Sequence, residues 1–279
     1  MRMHSLVSLG LNLNSYLQMM AFALQRLRLS RRDIGSIFTL AAMPILYLMG
    51  FKGNLKTPIG ILHIRDRDVL RSSIYGLFKT NFSYLPNIRL RIAEHSPITV
   101  VDVGANIGDF ALGILSNMND TIVAIEPGAE NFELLQHNLR LNDVRNPVLI
   151  QLAAHDRKEL VHLHGSNSDF YVDPMPNGHQ ALGVPLDSLM STLGMRSVDI
   201  MKVDVQGHEK HVLLGMQELL GRHAIRLLIV EVHEKRRQDV NEIAALLQVS
   251  GYRLVRRDDY LFEQPHLYFE PVEPWTFNA

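Results

Sequence analysis

From Ile98 onward, short β-branched runs alternate with longer stretches whose apolar residues recur at helical spacing. That alternation predicts a mostly parallel sheet with helices on both faces. Ile98, Val100, Val101 and Val103 make a nearly continuous apolar strand of the kind a parallel sheet buries on both sides. Phe110, Ala111, Leu112, Ile114 and Leu115 then open a helix. Thr121 to Ile125 predicts the next strand, Asn131 to Asn142 a helix with Phe132, Leu135 and Leu139 on one face, and Val148 to Leu152 a third strand. Val198 to Val203 and Ile225 to Val232 supply the fourth and fifth. Between them, Val212, Leu213, Met216, Leu219 and Leu220 predict one helix that Gly221 can end. A helix from Asn241 to Val249 stops at Gly251, and Tyr252 to Val255 and Leu267 to Phe269 give two closing strands. The count is seven strands from residue 98 onward.

One insertion interrupts this series. Leu160 to His164 predicts an added strand with His162 and His164 on one face, because strand side chains alternate. Such a pair can bind a metal. No third ligand is identifiable nearby, so the reading is an exposed strand face and no metal site is assigned. Asn167 to Gly183, rich in Asn, Ser, Gly and Pro, reads as a mobile loop.

Ahead of residue 98 the pattern changes. Residues 5 to 30 fit an amphipathic helix in places, and Ile34 to Phe51 carries no charged residue, the lower edge of a membrane-spanning length. Pro44 and several small or polar residues weaken that signal. Residues 1–51 are therefore taken as an N-terminal helical extension, with peripheral membrane contact as an alternative to packing on the domain. Residues 52–97 form a lead-in, with a strand at Ile59 to Ile64 and a short helix after Asp66-Arg67-Asp68, and 98–279 the main domain.

At 279 residues the chain can bury a full core. A formal charge of −1 gives no general attraction to nucleic acid, and Arg31-Arg32 and Lys235-Arg236-Arg237 read as solvated helix ends. The absence of cysteine removes disulfides, thiolate nucleophiles and cysteine-bound zinc. With no evident small-residue cleavage site near the start, a cytoplasmic setting is the default. Nothing in the sequence sets the oligomeric state.

The chemistry concentrates at Asp102-Val103-Gly104-Ala105-Asn106-Ile107-Gly108. Gly104 allows a tight turn, Gly108 lets a backbone approach a ligand, and the helix start behind them offers unpaired N–H groups. Glu126 ends the next strand about 20 residues on, where a Rossmann-type crevice places a carboxylate for ribose hydroxyls. A nucleotide-like ligand is expected. The middle glycine that clears a pyrophosphate is replaced by Asn106, which favours S-adenosylmethionine over NAD.

The stretch resembles the first motif of S-adenosylmethionine-dependent methyltransferases, and more narrowly of the FkbM family. Lys202-x-Asp204-x-x-Gly207-x-Glu209 is the most family-specific segment, although family members usually carry Glu where this chain has Gln206. The resemblance covers about residues 59 to 270. It implies an α/β fold with a Rossmann-like, seven-stranded methyltransferase sheet, S-adenosylmethionine as cofactor, and O-methylation of a sugar, glycolipid or polyketide-like acceptor. Asp102, Gly104 and Asn106 are expected at the methionine end, Glu126 at the ribose, Ala153 at the adenine slot, and Gly108 where the backbone approaches the cofactor. The resemblance brings Asp204, His208, Glu209 and His233 to the carboxyl edge of the sheet, where each is a candidate to activate the acceptor. Asp204 with Glu231 holding a divalent cation is a variant, and an NAD-dependent oxidoreductase or a catalytically silent scaffold are the competing functions.

Overall fold

The computed structural model describes residues 31–80, 84, 88, 97–115, 120–165, 170–173, 175, 178–233, 239–259, 264–273 and 275. The amphipathic helix expected within residues 5 to 30 and the basic run at 235–237 lie outside them.

Helix α1 (Arg31–Leu48) leads into a hairpin, β1 (Gly53–Thr57) and β2 (Gly60–Ile64). The polar sequence Gly53-Asn54-Leu55-Lys56-Thr57 gave no strand signal. It is ordered by pairing with β2 and by the Thr57 Oγ1–H, which donates to the Gly60 carbonyl at 2.7 Å. Helix α2 (Arg67–Lys79) starts where the Asp66 carboxylate accepts the Val69 N–H at 2.9 Å, an N-cap that satisfies one of the four unpaired donors of a helix start. Its Val69, Leu70 and Leu77 are buried, and Met43 of α1 is buried in the same core. Among the described residues no helix is long and apolar enough to cross a membrane.

The main sheet is built from β3 (Thr99–Val103), β4 (Thr121–Ile125), β5 (Val148–Ile150), β10 (Val198–Val203), β11 (Ile225–Glu231), β12 (Tyr252–Asp258) and β13 (His266–Pro271). Their order is β12-β13-β11-β10-β3-β4-β5, seven strands as the sequence predicts. β5, β4, β3, β10 and β11 run parallel, and β13 and β12 are antiparallel additions. The apolar strands alternate between two cores: Val100 enters the one shared with α2, and Val101 and Val103 enter the one on the opposite face. Helices α3 (Asp109–Ile114), α4 (Ala129–Leu141) and α8 (Val240–Val249) follow strands as expected.

Two readings of the sequence need correction. The expected single helix after β10 is two, α6 (Glu209–Leu214) and α7 (Gln217–Gly221). All five stripe residues are buried, but at Gly215 a Cβ would stand 2.0 Å from the His155 carbonyl oxygen, and the chain bends there to pass it. The 167–183 segment is also not simply a loop: β8 (Tyr171–Asp173) and β9 (His179–Val184) join β6 (Ala153–Ala154) and β7 (Glu159–His164) in a four-stranded sheet of order β6-β9-β7-β8. Pairing with β7 supplies the order that the local composition lacks. Strand β7 does put Val161 and Leu163 inward and His162 and His164 on the other face. Helix α5 (Leu186–Thr192) then returns the chain to the main sheet.

Candidate active site

The order in which the chain adds strands reverses between β3 and β10, and ligands of open parallel sheets bind at such a switch point, outside the carboxyl ends of the strands. Backbone bonds tie those ends together: the Asp204 N–H donates to the Val103 carbonyl at 3.0 Å, and the Gly104 N–H to Ile125 at 2.9 Å. Gly104, at φ +81°, is required by contact as well as conformation, since a Cβ there would lie 1.8 Å from the Asp204 carbonyl oxygen. Asn106 and Gln206 hold φ of +49° and +56°, a left-handed backbone that is uncommon outside glycine. Both line the same cavity.

That cavity, about 600 Å³ including its open mouth, is walled by Gly104, Asn106, Glu126, Leu152, Ala153 and Ala154 on one side. Leu163 and Phe170 to Val172 of the small sheet region form a second wall, and Asp204 to Gln206 and His208 a third. Six of the sequence-expected residues therefore meet here: Gly104, Asn106, Glu126, Ala153, Asp204 and His208. Asp102, Gly108, Glu209 and His233 stand behind the wall. Gly108 faces α4, where a Cβ would stand 2.9 Å from Leu135 Cδ1, so what its missing side chain admits is a packing neighbour.

Glu126 is nearly buried and already gripped. Its carboxylate accepts the N–H groups of Gly128 and Asn106, each at 2.9 Å. Burial nevertheless pushes its pKa up to about 7, with those two N–H groups and Asn131 opposing the rise and Asp102 adding to it. The Asn106 amide donates to Ser72 Oγ at 3.1 Å, while its Oδ1 is buried with no donor.

Behind the cavity lies a charge network that local sequence could not disclose. Lys202, in the buried strand β10, reaches Asp204 at 3.1 Å and Asp102 at 3.5 Å and packs over the Phe110 and Tyr84 rings. Lys79 of α2 lies 2.6 Å from Glu231, which also accepts from Tyr84 Oη at 3.0 Å and pairs with His266 at 2.9 Å. Burial works against the charged form of Lys202, yet Asp204 and Asp102 together raise its pKa. The mirror image holds at Asp102, fully buried, where desolvation lifts the carboxyl to about 6 against the pull of Lys202. The lone signal for this network was a lysine in a strand buried on both faces; Lys79, Tyr84 and His266 are too distant in sequence to be found that way.

His233 completes the group. Its Nδ1 is 2.7 Å from Glu209, and its Nε2 is 3.7 Å from Asp204 and 3.8 Å from Glu231. Burial lowers the pKa of the ring, but Glu209, Glu231 and Asp204 together outweigh it and the net shift is upward. Glu209 also accepts the Gly207 N–H at 2.9 Å, which fixes the turn into α6. His208 is different: burial, then the neighbouring imidazoles of His211 and His155, push it down to about 3.

The seven-stranded sheet with a glycine turn at its switch point is the Rossmann-like fold of an S-adenosylmethionine-dependent methyltransferase. Residues 102–254 match the methyltransferase FkbM domain, and the chain belongs to that family. It is 28% identical over 202 residues to the 31-O-demethyl-FK506 methyltransferase FkbM of Streptomyces tacrolimicus, covering 58% of this chain and 75% of that protein. It is 30% identical over 159 residues to the hexuronic acid methyltransferase AglP of Haloferax volcanii, covering 52% of this chain and 61% of that protein. It also matches 9% of the AMB antimetabolite synthetase AmbE of Pseudomonas aeruginosa, at 28% identity over 192 residues and 63% of this chain. Among solved structures, the magnesium protoporphyrin IX methyltransferase of Synechocystis with bound SAM aligns at a TM-score of 0.45 and 13% identity, over 71% of this chain and 83% of that one.

Proposed function

We propose that this chain methylates a hydroxyl of a sugar, glycolipid or polyketide-like acceptor, with Asp204 taking the hydroxyl proton. One observation carries the reading: of the charge network, only Asp204 lines the cavity, held in place by Lys202 at 3.1 Å. S-adenosylmethionine supplies an electrophilic methyl group, so the protein has to align the acceptor oxygen and remove its proton. Gly104, Asn106, Glu126 and Ala153 would hold the cofactor, and the donorless Asn106 Oδ1 suits an ammonium or hydroxyl hydrogen. His208 makes a poor base, because its Nε2 is turned to His155 Nδ1 at 3.2 Å. His233, held by Glu209, acts as a positioning residue behind Asp204. Lys79 and Lys202 already neutralise Glu231 and Asp204, which supports a base over the divalent-cation variant. The names of the FkbM and AglP relatives support a polyketide-like or sugar acceptor.

The test is transfer of labelled methyl from S-adenosylmethionine to hydroxylated glycans, lipids and polyketides, with calorimetry against S-adenosylhomocysteine and NAD. Label in an O-linkage is expected. Binding of NAD alone would restore the oxidoreductase reading, and cofactor binding with every acceptor class unlabelled would favour a scaffold.

Glu126→Ala is expected to cost about 1.5–3 kcal/mol of S-adenosylhomocysteine affinity, the range for hydrogen bonds to a charged group. The pH dependence has a definite sign. Ribose hydroxyls donate to the ionised carboxylate, and with the pKa at about 7 that form is lost as pH falls through neutrality. Affinity should therefore weaken from pH 8 to pH 6 in the wild type. Calorimetry should find the dependence flattened in Glu126→Gln.

A further inference from the structure

Three histidines with no step in the proposed transfer converge where the small sheet meets α6. His155 follows β6, and His208 and His211 stand at the start of α6. One ring nitrogen of each lies within 4.8 Å of one on each of the others. His155 is seated by its own backbone, whose N–H donates to Val184 at 3.0 Å, and by two glycines. A Cβ on Gly183 would lie 2.8 Å from the His155 ring, and one on Gly215 2.0 Å from its carbonyl oxygen.

His155 stands between two carboxylates, with a second imidazole beside it. Its Nε2 is 2.8 Å from Glu159, and a carboxylate only accepts, so that nitrogen carries a proton and Nδ1 is the atom open to a ligand. Facing Nδ1 are His208 Nε2 at 3.2 Å and Asp156 Oδ1 at 2.9 Å. Asp156 Oδ1 is buried and has no hydrogen-bond donor, while its Oδ2 lies 3.3 Å from His211 Nδ1. With no cation present, Asp156 Oδ1 is served only if His155 carries a second proton. A cation among them serves all. Metal–ligand bonds of about 2.0–2.1 Å at tetrahedral angles put neighbouring donor atoms about 3.3 Å apart, close to the 3.2 Å between His155 and His208, with His211 within 4.8 Å of both.

We propose that His155, His208, His211 and Asp156 bind one zinc-class divalent cation that fastens the small sheet over the cofactor cavity to the start of α6. Imidazole and carboxylate donors select this class over magnesium or calcium. Glu159 behind His155 completes the carboxylate–histidine–metal arrangement that orients a ligand ring. His211 stacks on His208 at 4.4 Å and is half exposed, so its ring has room to turn out of the stack, as binding the same ion requires. Four protein donors fill a tetrahedron, which makes the ion structural. The site is distinct from Asp204, Glu231 and His233, whose ligand atoms also lie within 4.8 Å of one another but which Lys79 and Lys202 neutralise.

The experiment uses tag-free full-length protein, stripped with chelator and titrated with Zn²⁺ by calorimetry. Thermal unfolding and the visible absorption of the Co²⁺ form are recorded in parallel. Expected are one equivalent of Zn²⁺, a Tm that climbs with zinc concentration, and a tetrahedral Co²⁺ spectrum. His211→Ala and Asp156→Asn, chosen because neither side chain is deeply buried, should weaken zinc by at least the roughly 10- to 100-fold that losing an outer-shell partner costs. Asp204→Asn should bind zinc as the wild type does. Absence of saturable binding would overturn the proposal, as would binding that survives both His211→Ala and Asp156→Asn but is lost in Glu231→Gln. None of these readouts needs an acceptor or methyl transfer, so the result stands apart from that of the proposed function.

Discussion

Asp204→Asn is expected to lower methyl transfer about 100- to 10,000-fold, the usual cost of removing a general base, while leaving S-adenosylhomocysteine affinity within a few-fold of wild type. The substitution keeps shape and a hydrogen-bonding oxygen for Lys202 but removes the proton acceptor at the cavity edge. In barrier terms the loss is about 2.7–5.5 kcal/mol. A residue that merely shaped the turn into α6 would instead lose about 1 kcal/mol of stability and spare the chemistry. Rates must therefore be compared at matched folding. Full activity in Asp204→Asn would move the base elsewhere in the cavity wall. His233→Gln separates positioning from catalysis: it should change the pH profile of the rate and cost less than Asp204→Asn, because His233 does not line the cavity.

Lys202→Met is expected to destabilise the fold by about 3–5 kcal/mol, read from the denaturant midpoint at unchanged m-value. Methionine fills much of the same volume against Phe110 and Tyr84. What is lost is the cation between two acids, one of them, Asp102, wholly buried. The pH dependence checks the cause. Asp102 is already raised to about 6 in the folded state, and without Lys202 it rises further above its unfolded value. A carboxyl whose folded pKa is raised binds more protons folded than unfolded, so the variant's stability should fall as pH rises from about 4 and be partly restored in acid. Adding Asp102→Asn should recover much of the loss at neutral pH. If the single variant is as stable as wild type, the pair contributes nothing that packing does not.

The architecture was legible in the sequence because hydrophobic period and turn residues are local signals. Val100, Val101 and Val103 declare a strand buried on both faces without help from any other part of the chain, and Gly104 marks the end of it. The motif residues were legible for the same reason: strand ends in a parallel sheet share one edge, so Gly104, Glu126 and Asp204 had to come near one another once the strands were counted. Where composition misled, the deciding contact was distant. The segment from Asn167 to Gly183 looks like a loop by itself and becomes β8 and β9 because β7 offers it a pairing edge. One helix became two because Gly215 meets His155, 60 residues earlier in the chain.

The side-chain networks belong wholly to the tertiary structure. Lys202 was visible as part of the family-specific segment, but no periodicity connects it to Lys79, Tyr84 or His266, which reach Glu231 and its neighbours from other elements. Nor does any spacing join His155 to His208 and His211. Sequence by itself determined the sheet, the glycine turn and the carboxylates at its edge, since these follow from local propensity and strand direction. Which of those carboxylates faces the cavity, which are buried against lysines, and which histidines touch was decided by packing, because burial and charge pairing depend on groups that only the folded chain brings within a few ångströms of one another.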